Sequence, residues 1–171
     1  MDADEVKKRY ALGERDFSGT DLSRVNLSKV DLKQVVLWRA NLTKANLTGT
    51  NLTGADLLGA NLSEANLSLT LLCGANLSEA NLSGAVLEGA NLQASLYNQV
   101  TQFPKNFNPI KAGAYLIAPG VSIEGASLSG LDLSNTNLSG ANLSGADLWK
   151  TNLREANLKE ACLSKALLYR S

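Results

Sequence analysis

Histidine is absent from this 171-residue chain, and with it goes most of the side-chain chemistry that runs near neutral pH. There is no imidazole base to activate a serine, no Ser–His–Asp arrangement and no imidazole metal ligand. Two thiols remain, Cys73 and Cys162. Neither stands in a CxxC or other metal-ligand spacing, and no basic residue is near Cys73 in the sequence. No GxxxxGK(S/T) loop is present to cradle a phosphate. Most of the sixteen acidic residues stand at outward positions of a repeat described below, which reads as solvated surface. The residues therefore predict no enzyme, no cofactor and no metal.

What positions these residues is a repeat. Leucine stands at every fifth position from Leu22 to Leu92, fifteen of fifteen, and from Leu128 to Leu168, nine of nine. Two residues before each leucine is a small or β-branched residue: fifteen Ala, five Thr, three Val, and one exception, Leu131. Between the two stands Asn or Asp in eighteen of the twenty-four repeats. The two positions after the leucine are mostly Ser, Thr, Gly, Glu or Lys.

A period of five fits neither regular element. On an α-helix five residues advance by about 500°, so successive leucines sit about 140° apart and form no stripe. On a straight strand an odd period sends every second leucine to the wrong face. The conflict disappears if the chain turns once per repeat, always the same way. The leucine and the residue two before it then point inward and the other three point out. A disordered segment would not carry so regular a leucine pattern, and a leucine-rich horseshoe needs a longer period.

The segments ANLTKANLTGTNLTGADLLGANLSEANLS (40–68) and TNLSGANLSGADLWKTNLREANLKEACLS (136–164) resemble the pentapeptide-repeat family, consensus A(D/N)LXX. The resemblance, to members of the kind abundant in cyanobacteria, implies an all-β fold: a right-handed quadrilateral parallel β-helix, or solenoid, with four repeats and twenty residues per coil. Six to seven coils at about 4.8 Å each would make a rod roughly 30 Å long. Outward Asn residues such as Asn41, Asn61 and Asn81 would then stack in axial columns. Cys73 and Cys162 would lie about three coils, roughly 14 Å, apart, too far for a disulfide.

A single domain, 1–171, is expected, with a short N-terminal α-helical cap and one loop insertion. The cap occupies 1–14: Asp2 or Asp4 can N-cap a short helix, Lys7, Lys8 and Arg9 lie late, and Gly13 stops it. Val6 and Tyr10 would cover the first coil, and Phe17, in register with the leucines, would centre the first repeat. The first repeat block runs 15–97 and the second 123–171. The insertion, 98–122, holds all three prolines together with Phe103, Phe107 and Tyr115.

Function is sought in departures from the repeat. Trp38 and Leu58 follow centre leucines twenty residues apart, as do Trp149 and Tyr169. Each pair should share a column, and exposed apolar groups there are candidates for contact. The insertion leaves the solenoid at Asn98, above Trp38 and Leu58, which suggests that its aromatics fold back over that pair. The expected role is a rigid surface for an unidentified protein partner. An end-to-end homodimer through the C-terminal coil would cover the last leucines. The alternative the family suggests is a DNA mimic that binds a type II topoisomerase. It finds thin support in residues 51–97, which carry Asp56, Glu64, Glu79 and Glu88 and no Lys or Arg. Net charge zero argues against nucleic-acid binding. No signal peptide or membrane span is evident, and the expected location is the cytoplasm.

Overall fold

The computed structural model describes residues 1–169. It divides into two compact units, Met1–Ala114 and Tyr115–Ser171, considered in turn.

The first unit opens on helix α1, Ala3–Ala11. The Asp2 carboxylate accepts from the Glu5 N–H at 2.9 Å, while Asp4 and Glu5 lie in the first turn and Lys8 and Arg9 in the last. Both features suit the partial charges at the helix ends. Val6 is buried, and the half-buried Tyr10 donates its hydroxyl to the Lys33 carbonyl at 2.9 Å. Arg9 lies over the ring of Phe17, which is almost fully buried in register with the leucines.

From Asp16 onward the chain pairs with itself at a separation of twenty residues. Parallel bridges join Asp16 to Val36, Asp21 to Asn41, Asn26 to Asn46 and Asp31 to Asn51, and continue in the same register to Asn76–Leu96. Each coil thus holds four pentapeptides. The pentapeptide closes its own turn. Asn41 Oδ1 accepts from the Thr43 N–H, Asp56 from Leu58 and Asn76 from Ser78, each at 3.1 Å. Such a side-chain turn is what Asn and Asp do best. The residue two after the leucine then adopts φ near +60° in repeat after repeat, whether it is Gly59 or Arg39. The Asn columns exist, but the carboxamides mainly serve their own turns. Axial side-chain bonds run from Asn41 to Asp21 and from Asn76 to Asp56.

Inside, Leu42, Leu47, Leu52, Leu57, Leu62, Leu67, Leu72, Leu77 and Leu82 are fully buried, as are Ala40, Ala60 and Ala80. The inward threonines do more than fill space. Thr50 Oγ1 donates to the Leu27 carbonyl at 2.7 Å and Thr70 Oγ1 to Leu47 at 2.8 Å, so each hydroxyl ties its coil to the one before. Because Ala60 meets close-packed neighbours, Ala60→Leu is expected to cost about 1–3 kcal/mol by overpacking. Urea unfolding checks this, and an unchanged midpoint would refute the inward placement.

The ladder slips once. Asn81 pairs with Gln102, a separation of 21. The extra residue is absorbed around strand β1, Leu96–Tyr97, where two successive side chains are both buried, as at a bulge. The side chain of Asn98 repairs the break: its Oδ1 accepts the Glu79 N–H at 3.1 Å, with Val100 and Thr101 N–H beside it. Residues 98–102, read from the sequence as the start of a loop, therefore continue the coil. Gly113 rejoins the ladder by accepting from the Ala94 N–H.

In the second unit, strand β2, Tyr115–Leu116, leads into buried Ile117 and Ala118. The register is again twenty, from Ser122–Asn142 to Asp147–Leu167. Leu128, Leu133, Leu138, Leu143 and Leu148 are fully buried, whereas Leu153, Leu158 and Leu163 are half-buried and Leu168 is exposed.

Candidate interaction surfaces

Among the described residues no cluster of Cys, Asp and Glu could hold a metal ion. No helix among them is long and apolar enough to cross a membrane. Cys73 and Cys162 are free thiols. The Cys162 thiol is shifted below its ordinary range, first by the Ser144 hydroxyl at 3.1 Å and then by the Ser164 backbone N–H. The thiol is exposed.

The residues singled out from the repeat fall into three places. Trp38 and Leu58 share one outer column, since the Arg39 N–H donates to the Leu58 carbonyl in the ladder. Trp38 is 41% exposed, with the Arg39 guanidinium 4.7 Å above its ring, and Leu58 is half-buried. Phe103 and Phe107 stack on each other at 5.4 Å, and Phe103 meets the ring of Tyr97 edge-on at 5.4 Å. The expected fold-back onto Leu58 is thus corrected. The aromatics of 98–114 gather on Tyr97 because Thr101 and Gln102 are held at the next coil by bonds to Leu77, Ala80 and Leu82. In the second unit, the Tyr115 hydroxyl accepts from the Ser127 N–H, which makes it a packing residue of its own unit.

Trp149 and Tyr169 also share a column. The Lys150 N–H donates to the Tyr169 carbonyl, and Gly130 N–H and Ser129 Oγ both donate to the Trp149 carbonyl. Trp149 is 42% and Tyr169 66% exposed, and Lys150 Nζ lies 4.1 Å over the Trp149 ring.

Sequence reasoning passed over a further group, Leu69, Leu71 and Val86, which are 63%, 40% and 48% exposed. The signal was present. Leu71 and Val86 occupy the position otherwise held by Asn or Asp, and Leu69 occupies the left-handed corner, at φ +59°.

The family model described as pentapeptide repeats matches in eight copies, over residues 14–39, 31–68, 40–78, 55–93, 120–148 and 132–170. Among solved structures, alr5209, a pentapeptide repeat protein from Nostoc PCC 7120, is 42% identical. The match covers 68% of this chain and 97% of that one, with a TM-score of 0.66. HetL, from Nostoc sp. strain PCC 7120 and involved in heterocyst differentiation regulation, is 29% identical over 99% of this chain and 94% of its own, with a TM-score of 0.29. QnrB1, a plasmid-mediated fluoroquinolone resistance protein, is 16% identical over 90% and 82%, with a TM-score of 0.48. No curated protein sequence matches the chain.

Proposed function

Since the chain belongs to the pentapeptide-repeat family, matched by its model over both blocks of repeats, we propose that it is a non-catalytic binding module. In this reading each block coils as a right-handed, four-sided β-helix and holds selected side chains rigid for a protein partner. The observation that carries it is the Trp149–Tyr169 column. Two large aromatics stand exposed at the position after the centre leucine, which is usually held by Ser or Thr. Rigid aromatics bury much apolar area at little entropic cost, which is why they anchor interfaces. A cationic group over the indole adds a polar handle.

A second copy of the chain is a further partner of this kind. Leu153, Leu158 and Leu163 are only half-buried and Leu168 is exposed, so a C-terminal coil packed on its own copy would bury apolar surface. The DNA-mimic reading has less support. The Met1–Ala114 unit carries eleven basic and eleven acidic residues, far from the one-signed field that mimicry of a phosphate backbone requires.

The test is a pull-down with the full chain as bait against the variant Trp149→Ser/Tyr169→Ser, both surface changes that leave the leucine core intact. Partner capture should fall with the double variant. Equal capture by both proteins would remove this column from the interface.

A further inference from the structure

One edge of the first unit is complementary to itself. Its corner column reads Lys29, Gly49, Leu69, Gly89 at successive coils. The ladder bonds place it so: Lys29 N–H donates to Thr48, Gly49 N–H to Ser68 and Leu69 N–H to Glu88. A Cβ on Gly49 would meet the Lys29 stem at 3.6 Å, and one on Gly89 would meet Leu69 Cδ2 at 2.7 Å. The Lys29 and Leu69 side chains therefore lie over the glycine of the next coil, and the two glycines leave the strip flat. Leu71 and Val86 flank Leu69, and Glu88 stands beside Gly89 in the column above Ser68. Lys29 and Glu88 are about 14 Å apart along the ladder, three coils at about 4.8 Å each. Neither has an ion-pair partner among the described residues. Their neighbours are accounted for: Lys33 sits at 3.8 Å from Asp31, and Lys44 pairs with Glu64 on another corner at 3.4 Å.

We propose that two copies of this chain pair side by side and antiparallel along this edge. A two-fold axis between the Gly49 and Leu69 levels sets Lys29 of each copy beside Glu88 of its mate. It also lays Leu69 of each copy on the Gly49 level of the other. The same patch serves both partners, as an isologous contact requires. The pairing covers Leu69, Leu71 and Val86, three exposed apolar side chains at positions the repeat reserves for polar residues or glycine. Leu69 holds a backbone conformation that a bulky residue seldom adopts. The charges supply orientation and make the association salt-sensitive. The edge is only four coils tall, so the contact is small and concentration-dependent. It is independent of the partner surface at Trp149 and Tyr169 and distinct from any contact made by the last coil.

Contacts through the C-terminal coil and edge contacts are separated by sedimentation equilibrium of the full chain at low and high salt, with thermal unfolding to show that each variant folds. Wild type should dimerise at low salt and dissociate as salt rises. Glu88→Lys or Lys29→Glu alone should weaken dimerisation by about tenfold or more, and the double exchange should restore it. Leu69→Gly, which suits the left-handed corner, should abolish pairing while the protein stays folded. A wild type that is monomeric at every concentration overturns the proposal. So does a dimer indifferent to all these changes but broken by Leu158→Lys, since that dimer is held by the last coil.

Discussion

Leu62→Ala is expected to destabilise the Met1–Ala114 unit by about 2–5 kcal/mol, the range for emptying a buried leucine site that cannot collapse. Leu62 is fully buried, with a coil on either side of its own: Asn41 pairs with Asn61 and Asn61 with Asn81. The coils on both sides are fixed by backbone bonds at 2.7–3.0 Å, including Leu42 N–H to Asn61 and Leu62 N–H to Asn81. The ladder keeps the neighbours from closing on the void. The same change at Leu163, already half-buried, should cost distinctly less. Urea titration of both variants gives the comparison, and equal costs would mean that the interior is not packed in layers.

The second large effect is expected at Phe17. Phe17→Ala should cost about 3–5 kcal/mol and loosen α1 as well. Phe17 is the largest fully buried side chain, at the level where the coil begins. Arg9 lies over its ring, and Val6 is the buried residue of α1. The α1 anchors are otherwise few: Tyr10 to the Lys33 carbonyl, and the Met1 amino group to the Asp21 carbonyl at 2.8 Å. Removing the ring takes away the surface under Arg9 and leaves a cavity at the first level of the coil. Chemical denaturation measures the cost, and limited proteolysis in the Ala3–Ala11 segment reports the loosening. A variant as stable and as resistant as the wild type would show that α1 is held by its polar anchors alone.

The features legible in the sequence are those that follow from side-chain volume and polarity. The inward leucines, the inward Ala and Thr positions, Phe17 as the first centre and a short N-terminal helix were readable from the spacing, while the choice of Asp2 over Asp4 as its cap comes from the structure. The corner conformation was not. Arg24, Lys29, Arg39 and Lys44 all sit at φ near +60°, and nothing about lysine or arginine advertises a left-handed backbone. At Arg24, Lys29 and Lys44 it goes with the turn closed three residues earlier by Asp21, Asn26 and Asn41, while Arg39, which follows Val36, adopts it within the ladder alone, its N–H bonded to the Leu58 carbonyl. The stretch from Asn98 was misread for a related reason. Proline and aromatic content suggested an excursion, but the ladder is a backbone property that tolerates one extra residue if an acceptor is supplied. Asn98 supplies it from its side chain. Leu69, Leu71 and Val86 are legible only as departures from positions that the repeat otherwise gives mostly to polar residues or glycine.

The separation of these hydrogen bonds in sequence bears on how the protein is made. The bond from Thr101 back to Leu77 spans 24 residues, and the ladder bonds span about twenty. No coil therefore waits on a partner synthesised much later. α1 and Phe17 precede the coils of their unit in the chain and are made before them. Each further twenty residues can then settle on a finished template whose backbone groups are already in place. Topologies built from such near-neighbour contacts close short loops and fold fast. In this chain vectorial synthesis and the order of assembly coincide, and the interval during which a bare edge is open to other nascent chains is limited to about one coil's worth of translation.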